Sequence, residues 1–184
     1  MTHPLLRFPL GAWHFEDLLD APDDGYRYEI FDGSLLVTPP PPMPHANLVY
    51  RLRRQLDRQA PDVLAVCETV GVLREDGTSY FVPDLVVFDA VLLGTTLPAL
   101  PAAAAKLVIE VVSPNNPSND LVLKRHGYAS AGVPEYWIVD ARAQEVLVLT
   151  EPSAAGYLSE EKHTGSLRGA TPFPYELDLT AVFG

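Results

Sequence analysis

The run Leu107-Val108-Ile109-Glu110-Val111-Val112 sets the tightest limit on how this chain folds. Aliphatic residues on both sides of one acid read as a strand inside a sheet, where an unpaired carboxylate costs several kcal/mol. The fold must therefore bring something to Glu110 that compensates its charge. Asp84 leads directly into a second such run, Leu85-Val86-Val87-Phe88. If the two strands pair antiparallel across the intervening loop, the start of the first meets the end of the second, and Asp84 lies opposite Glu110 on one sheet face. Facing carboxylates repel unless a cation sits between them. Mg²⁺ suits that geometry, since it accepts one or two carboxylates, keeps several waters and completes its octahedron with phosphate oxygens. The plainer alternative is that Asp84 only begins a strand after Pro83 and that Glu110 pairs with a basic side chain. The Pro-Asp dipeptide does not choose between them, because it recurs at Pro22-Asp23 and Pro61-Asp62.

The rest of the pattern predicts a mixed sheet flanked by helices. Trp13 to Leu19 has the spacing of a short helix, stopped by Ala21-Pro22-Asp23-Asp24-Gly25. Tyr26–Ile30 and Leu35–Thr38 flank Asp32-Gly33, a hairpin signal that puts Glu29 on the first strand. Pro39 to Pro44 is a stiff extended connector before a helix from about His45 to Gln59. On that helix Leu48, Val49, Leu52 and Leu56 form an apolar stripe, while Arg51, Arg54 and Arg58 recur on another face. Strands are predicted at Val63–Cys67, Val70–Leu73, Tyr136–Val139 and Glu145–Leu149, with a helix over Asp120–Ser130 started by Ser118-Asn119-Asp120. The tail from Gly156 to Gly184 is weaker and reads as one more strand and a closing turn.

The 184 residues are the size of one domain, and 24 Asp+Glu against 13 Lys+Arg give a net charge of −11. That balance excludes a protein held to nucleic acid mainly by bulk positive charge, so any phosphate contact is local or metal-assisted. Cys67 is a lone cysteine in an apolar stretch, compatible with a reducing compartment. Met1–Arg7 lacks a sustained apolar signal region, and Ala90–Ala105 is too short and too broken by Gly and Pro to span a bilayer. The expectation is a cytoplasmic protein with no membrane association. Phosphate-loop, dinucleotide-binding and serine-elbow motifs are absent, and the five histidines never fall at zinc-ligand spacing.

A phosphodiester hydrolase also needs a cation beside the scissile phosphate. Lys124 is the leading candidate, four residues after Asp120 and four before Tyr128, so the three share one helical face. Lys106 competes for the role, but four residues of strand put it roughly 13 Å from Glu110. Glu29 is either a further metal ligand or a polar strand residue. His45 either contacts phosphate at a helix start or caps it. Arg51 and Arg54, with Arg58 and Arg125, are candidates for guiding a nucleic-acid backbone, and Tyr128 for touching substrate.

The order of Tyr28-Glu29-Ile30-Phe31-Asp32-Gly33, a Pro-rich loop to His45, Val82-Pro83-Asp84-Leu85-Val86-Val87, Val108-Ile109-Glu110-Val111-Val112-Ser113-Pro114, Asp120 to Lys124, Tyr128, and Gly132-Val133-Pro134-Glu135-Tyr136-Trp137-Ile138-Val139-Asp140 resembles the Uma-type restriction endonuclease family. That family lies within the PD-(D/E)XK nuclease superfamily, and the resemblance runs from about Trp13 to Leu149. It implies a restriction-endonuclease-like α/β (α+β) fold, a mixed β-sheet core flanked by helices, in one domain over residues 1–184 with its core at about 13–149. It also implies a homodimer. The first functional reading of these residues is an endonuclease that hydrolyses DNA phosphodiester bonds with Mg²⁺ or Mn²⁺. Asp84 and Glu110 would be the metal-binding acids, Glu29 the additional acid and Lys124 the catalytic amine. The superfamily pattern calls for lysine two residues after the second acid, where this chain has Val112. In the Uma-type pattern the lysine comes from the following helix, which here is Lys124. The alternatives are a nuclease-fold binding or regulatory module without efficient cleavage and, more weakly, a hydrolase of small phosphate esters.

Overall fold

The computed structural model describes residues 11–112 and 119–184, with side chains in the second stretch from residue 122 onward. In chain order it forms β1 (Arg27–Phe31), β2 (Ser34–Thr38), α1 (Met43–Asp57), β3 (Leu64–Glu68), β4 (Val72–Leu73), β5 (Tyr80–Phe81) and β6 (Leu85–Asp89). Then come β7 (Leu100–Pro101), β8 (Leu107–Val111), α2 (Arg125–Ser130), β9 (Glu135–Asp140), β10 (Glu145–Ser153), β11 (Gly156–His163), β12 (Ser166–Gly169), β13 (Tyr175–Asp178) and α3 (Leu179–Phe183). A π-helical turn, Asn119–Lys124, runs directly into α2. The expected start at Ser118, the loop Ser113–Pro117, the Asp120 side chain and the segment Met1–Arg7 lie outside the described residues. No helix among the described residues is long and apolar enough to cross a membrane.

The main sheet has the order β11-β10-β9-β8-β6-β3, and a second has the order β2-β1-β5-β4-β7. Strands β6 and β8 pair antiparallel through Leu85↔Ile109, while β8 and β9 run parallel. The fold class is therefore α+β with mixed sheets flanked by few helices. Alternation along the strands divides the core in two. Leu85, Val87, Ile109, Val111, Trp137 and Val139 face α1, α3 and the β12–β13 hairpin. Val86, Val108, Tyr136 and Ile138 face α2 and Phe81. Asp84 and Glu110 share the parity of Val86 and Val108, which puts both on the α2 face.

Local chemistry explains the elements around that face. Asp32 and Gly33 have φ of 42° and 76°, the left-handed pair of a type I′ turn joining β1 to β2 in register. Helix α1 begins at Met43, two residues before the expected start, because proline is tolerated in a first turn whose N–H groups have no helical partner anyway. Val49, Leu52 and Leu56 bury its apolar stripe. The tail is richer than its sequence implied. Tyr157, Leu167, Tyr175, Leu177 and Leu179 are buried, and β11, β12, β13 and α3 follow one another. Polar residues between these positions face outward, which made the apolar signal look weak. Glu135 holds part of this tail to β9. Its buried carboxylate accepts from Trp137 Nε1 at 2.6 Å, Thr171 Oγ1 at 2.8 Å and Tyr175 OH at 3.3 Å.

Helix α2 approaches the second sheet through Gly127, where an added Cβ would lie 2.5 Å from Phe81 Cζ. Glycine is a poor helix former, so its presence here answers a packing demand. We expect Gly127→Ala to destabilise the protein by about 1–3 kcal/mol in urea unfolding, despite the better helix propensity of alanine.

Candidate active site

Glu29, Asp84, Glu110 and Lys124 are all buried, and four separate elements deliver them. The hairpin places Glu29 on β1, where its Oε1 accepts from the Val82 backbone N–H at 2.8 Å. Continuing the Leu85↔Ile109 register by one step sets Asp84 opposite Glu110, as the sequence predicted. Opposed residues in such a ladder have Cα atoms about 4.5–5.5 Å apart. The Asp84 carboxylate also reaches across the ladder, where its Oδ2 accepts from the Val111 N–H at 2.9 Å.

Lys124 bridges two of the acids. Its Nζ lies 2.8 Å from Glu110 Oε1 and 3.0 Å from Glu29 Oε1. One turn on, Tyr128 OH donates to the same Glu110 oxygen at 2.8 Å. The i, i+4 spacing thus places an ammonium and a hydroxyl on one carboxylate. Burial raises the Tyr128 pKa well above the usual phenol value, and the charges of Glu110 and Glu29 raise it further, so the hydroxyl remains a donor.

Asp84 has a different set of partners. Arg27 NH1 lies 2.8 Å from Oδ1 and His45 Nε2 lies 3.0 Å from Oδ2. The same His45 nitrogen is 3.2 Å from the Val111 carbonyl, so it faces two acceptors and must carry a hydrogen, while Nδ1 is buried with no hydrogen-bond partner. Burial alone would push the Asp84 carboxyl up, but His45, Arg27 and the Val111 N–H outweigh it and hold it below the ordinary range. For Arg27, burial opposes the charge, whereas Asp84 and then Glu110 and Glu29 raise its pKa above the guanidinium reference. Among the described residues, Glu29, Asp84 and Glu110 thus meet the two cations Arg27 and Lys124.

The donors that face this space are hard oxygens. Among the described residues no group of three or more His, Cys, Asp or Glu side chains converges as a metal cage. Two carboxylates on one sheet face fit a cation that retains much of its water, as Mg²⁺ and Mn²⁺ do, better than a site closed by nitrogen and sulfur ligands.

A family model described as "Putative restriction endonuclease", Uma2, matches residues 15–181. The chain belongs to the Uma2 family. Its fold is that of a crystal structure described as a putative nuclease belonging to DUF820 from Anabaena variabilis ATCC 29413. The two superpose with a TM-score of 0.74 at 17% identity, covering 93% of this chain and 97% of that one. No curated protein matches the chain.

In this Uma2 chain the candidate residues do not all gather at one place. Tyr128 was expected to touch substrate, but it is fully buried and acts on Glu110 instead. Arg51 was expected on a backbone-guiding face, yet its guanidinium donates to the carbonyls of Ala181, Val182 and Gly184 at the end of α3. Arg54 is exposed but sits nine positions after His45, about 180° around α1, so it points away from the acids. Arg125 pairs with Glu160 at 2.7 Å, and Lys106 with Asp89 at 3.2 Å. His45 does reach the acids, on Asp84. Sequence reasoning missed Arg27. The available signal was its period-two spacing from Glu29, which puts both side chains on one face of β1.

Two stability experiments follow from these contacts. We expect Lys124→Met to cost about 3–5 kcal/mol, because it leaves Glu29 and Glu110 buried without their shared ammonium. Equilibrium denaturation reads that loss directly. For Asp84, the depressed folded-state pKa means that its stabilisation is complete above the unfolded value, about pH 3.9, and disappears as pH falls through the lower folded value. Asp84→Asn should be the less stable protein at pH 7. The gap from wild type should close as pH falls below about 4, as measured by denaturant melts across that range.

Proposed function

We propose that this chain is a Mg²⁺-dependent endonuclease that hydrolyses DNA phosphodiester bonds. The observation that carries the reading is the convergence of Asp84 and Glu110 on one sheet face, with the Lys124 ammonium 2.8 Å from Glu110. Asp84 and Glu110 would hold the divalent cation, and Mn²⁺ would serve in place of Mg²⁺. When bound, such an ion supplies an acidified water and offsets charge on the phosphate oxygens.

The chain's own residues do the rest. Lys124 presents an N–H to the attacking water and to the charge that grows on phosphorus-bound oxygens in the transition state. Glu29 and Glu110 fix that amine from two sides, so it is already oriented before substrate arrives. Tyr128 holds Glu110 in its rotamer, and His45 together with the Val111 N–H holds Asp84 Oδ2. Val112 at the usual lysine position leaves this face open to an amine from a helix, and Lys124 fills it. One domain over residues 1–184, homodimer formation and a cytoplasmic location belong to the same proposal, the first two on the strength of the family pattern.

A second reading, a nuclease-fold binding module without cleavage, draws on the Arg27–Asp84 ion pair, since a metal ligand that is already neutralised has less affinity for a metal. Incubation of the purified protein with single-stranded, duplex and branched DNA distinguishes the two. We expect cleavage with Mg²⁺ or Mn²⁺ that is lost in Asp84→Asn and Glu110→Gln while both variants retain the wild-type circular dichroism. Absence of cleavage by wild type on all three substrates would leave the binding module.

A further inference from the structure

We infer that Arg27 is an internal counter-ion that occupies the divalent-cation position on Asp84 and has to leave it before a metal can bind. The inference rests on the reading of Asp84 as a metal ligand, and it adds a residue that sets how tightly that metal is held.

The partners of the Asp84 carboxylate separate its two oxygens. Oδ2 is engaged by His45 Nε2 and by the Val111 backbone N–H. Oδ1 is engaged by Arg27 NH1 at 2.8 Å. A cation approaching Asp84 without dismantling the ladder contact to Val111 must use Oδ1, the oxygen that the guanidinium covers. Removing or displacing Arg27 opens that oxygen and leaves the Oδ2 contacts in place.

The two cations of the site also differ in freedom. The Lys124 side chain is 5% exposed and lies between Glu29 and Glu110. The Arg27 side chain is 19% exposed, against 2% for the Asp84 that it pairs with. Arg27 thus forms the solvent side of its ion pair, at the end of a long flexible stem, and can be rehydrated on leaving. Lys124 has no such exit.

Electrostatic repulsion points the same way. With Arg27 in place, a divalent ion on Asp84 would set two cations against each other on one carboxylate. With Arg27 displaced, that repulsion is removed. Metal and guanidinium therefore compete for one oxygen, and each lowers the other's occupancy by the same factor.

The test is a calorimetric titration of Mn²⁺ into wild type, Arg27→Gln, Arg27→Lys and Asp84→Asn, without nucleic acid. Thermal melts with and without Mn²⁺ on the same samples verify that each variant is folded. Arg27→Gln should bind Mn²⁺ at least about tenfold more tightly than wild type, and Arg27→Lys should fall between the two, since it keeps a charge but loses the planar fork. Should Arg27→Gln bind Mn²⁺ no more tightly than wild type while Asp84→Asn binds far more weakly, the counter-ion role is wrong and Asp84 remains a ligand. Should wild type, Arg27→Gln and Asp84→Asn all bind alike, or none bind, Asp84 is not a metal ligand and the functional reading fails with it.

Discussion

The ammonium of Lys124, shared between Glu29 and Glu110, is the interaction on which the arrangement of this site depends. Each of the three groups is nearly inaccessible to water, and none could be buried alone without a large desolvation cost. Together they satisfy one another, and in doing so they tie β1, β8 and the helix of α2 to a common point. The Gly127 contact with Phe81 and the ring contact between Phe81 and Tyr128, with centroids 4.9 Å apart, hold the helix at the distance that this bridge needs. Packing and electrostatics thus impose the same helix position.

The second charged unit, Arg27 with Asp84 and His45, has another character. It joins the start of β1 and the first turn of α1 to the strand end that carries Asp84. One of its members is partly open to solvent, whereas Lys124 is enclosed. An enclosed ammonium thus stands beside a more accessible guanidinium.

Burial elsewhere follows the same logic of local satisfaction. On the opposite face of the main sheet, the Glu135 carboxylate is held by an indole and two hydroxyls from β9 and the C-terminal hairpin region. Neutral donors suffice there because the group's task is to join segments. The acids of the α2 face instead meet full charges. The arginines of α1 do not contribute to this face. Arg51 closes the end of α3, Arg53 pairs with Asp57 and Glu68, and Arg54 points outward.

Much of this was legible in the residues alone, wherever short-range periodicity decides the outcome. Asp32-Gly33 specified its turn, the strand alternation put Asp84 and Glu110 on one face, and four-residue spacing put Lys124 and Tyr128 on one side of a helix. The weak tail was misread because outward-facing polar residues diluted its apolar alternation. What tertiary structure alone decided is which charge meets which. Arg27 and Asp84 are 57 residues apart, and Lys124 and Glu110 are 14 apart on different elements. No local rule relates such positions, because their contact depends on how two sheets and a helix pack against one another. The chain's own pattern determined where the acids stand, and the packing determined their partners, since strand parity is a property of the backbone while neutralisation requires a neighbour.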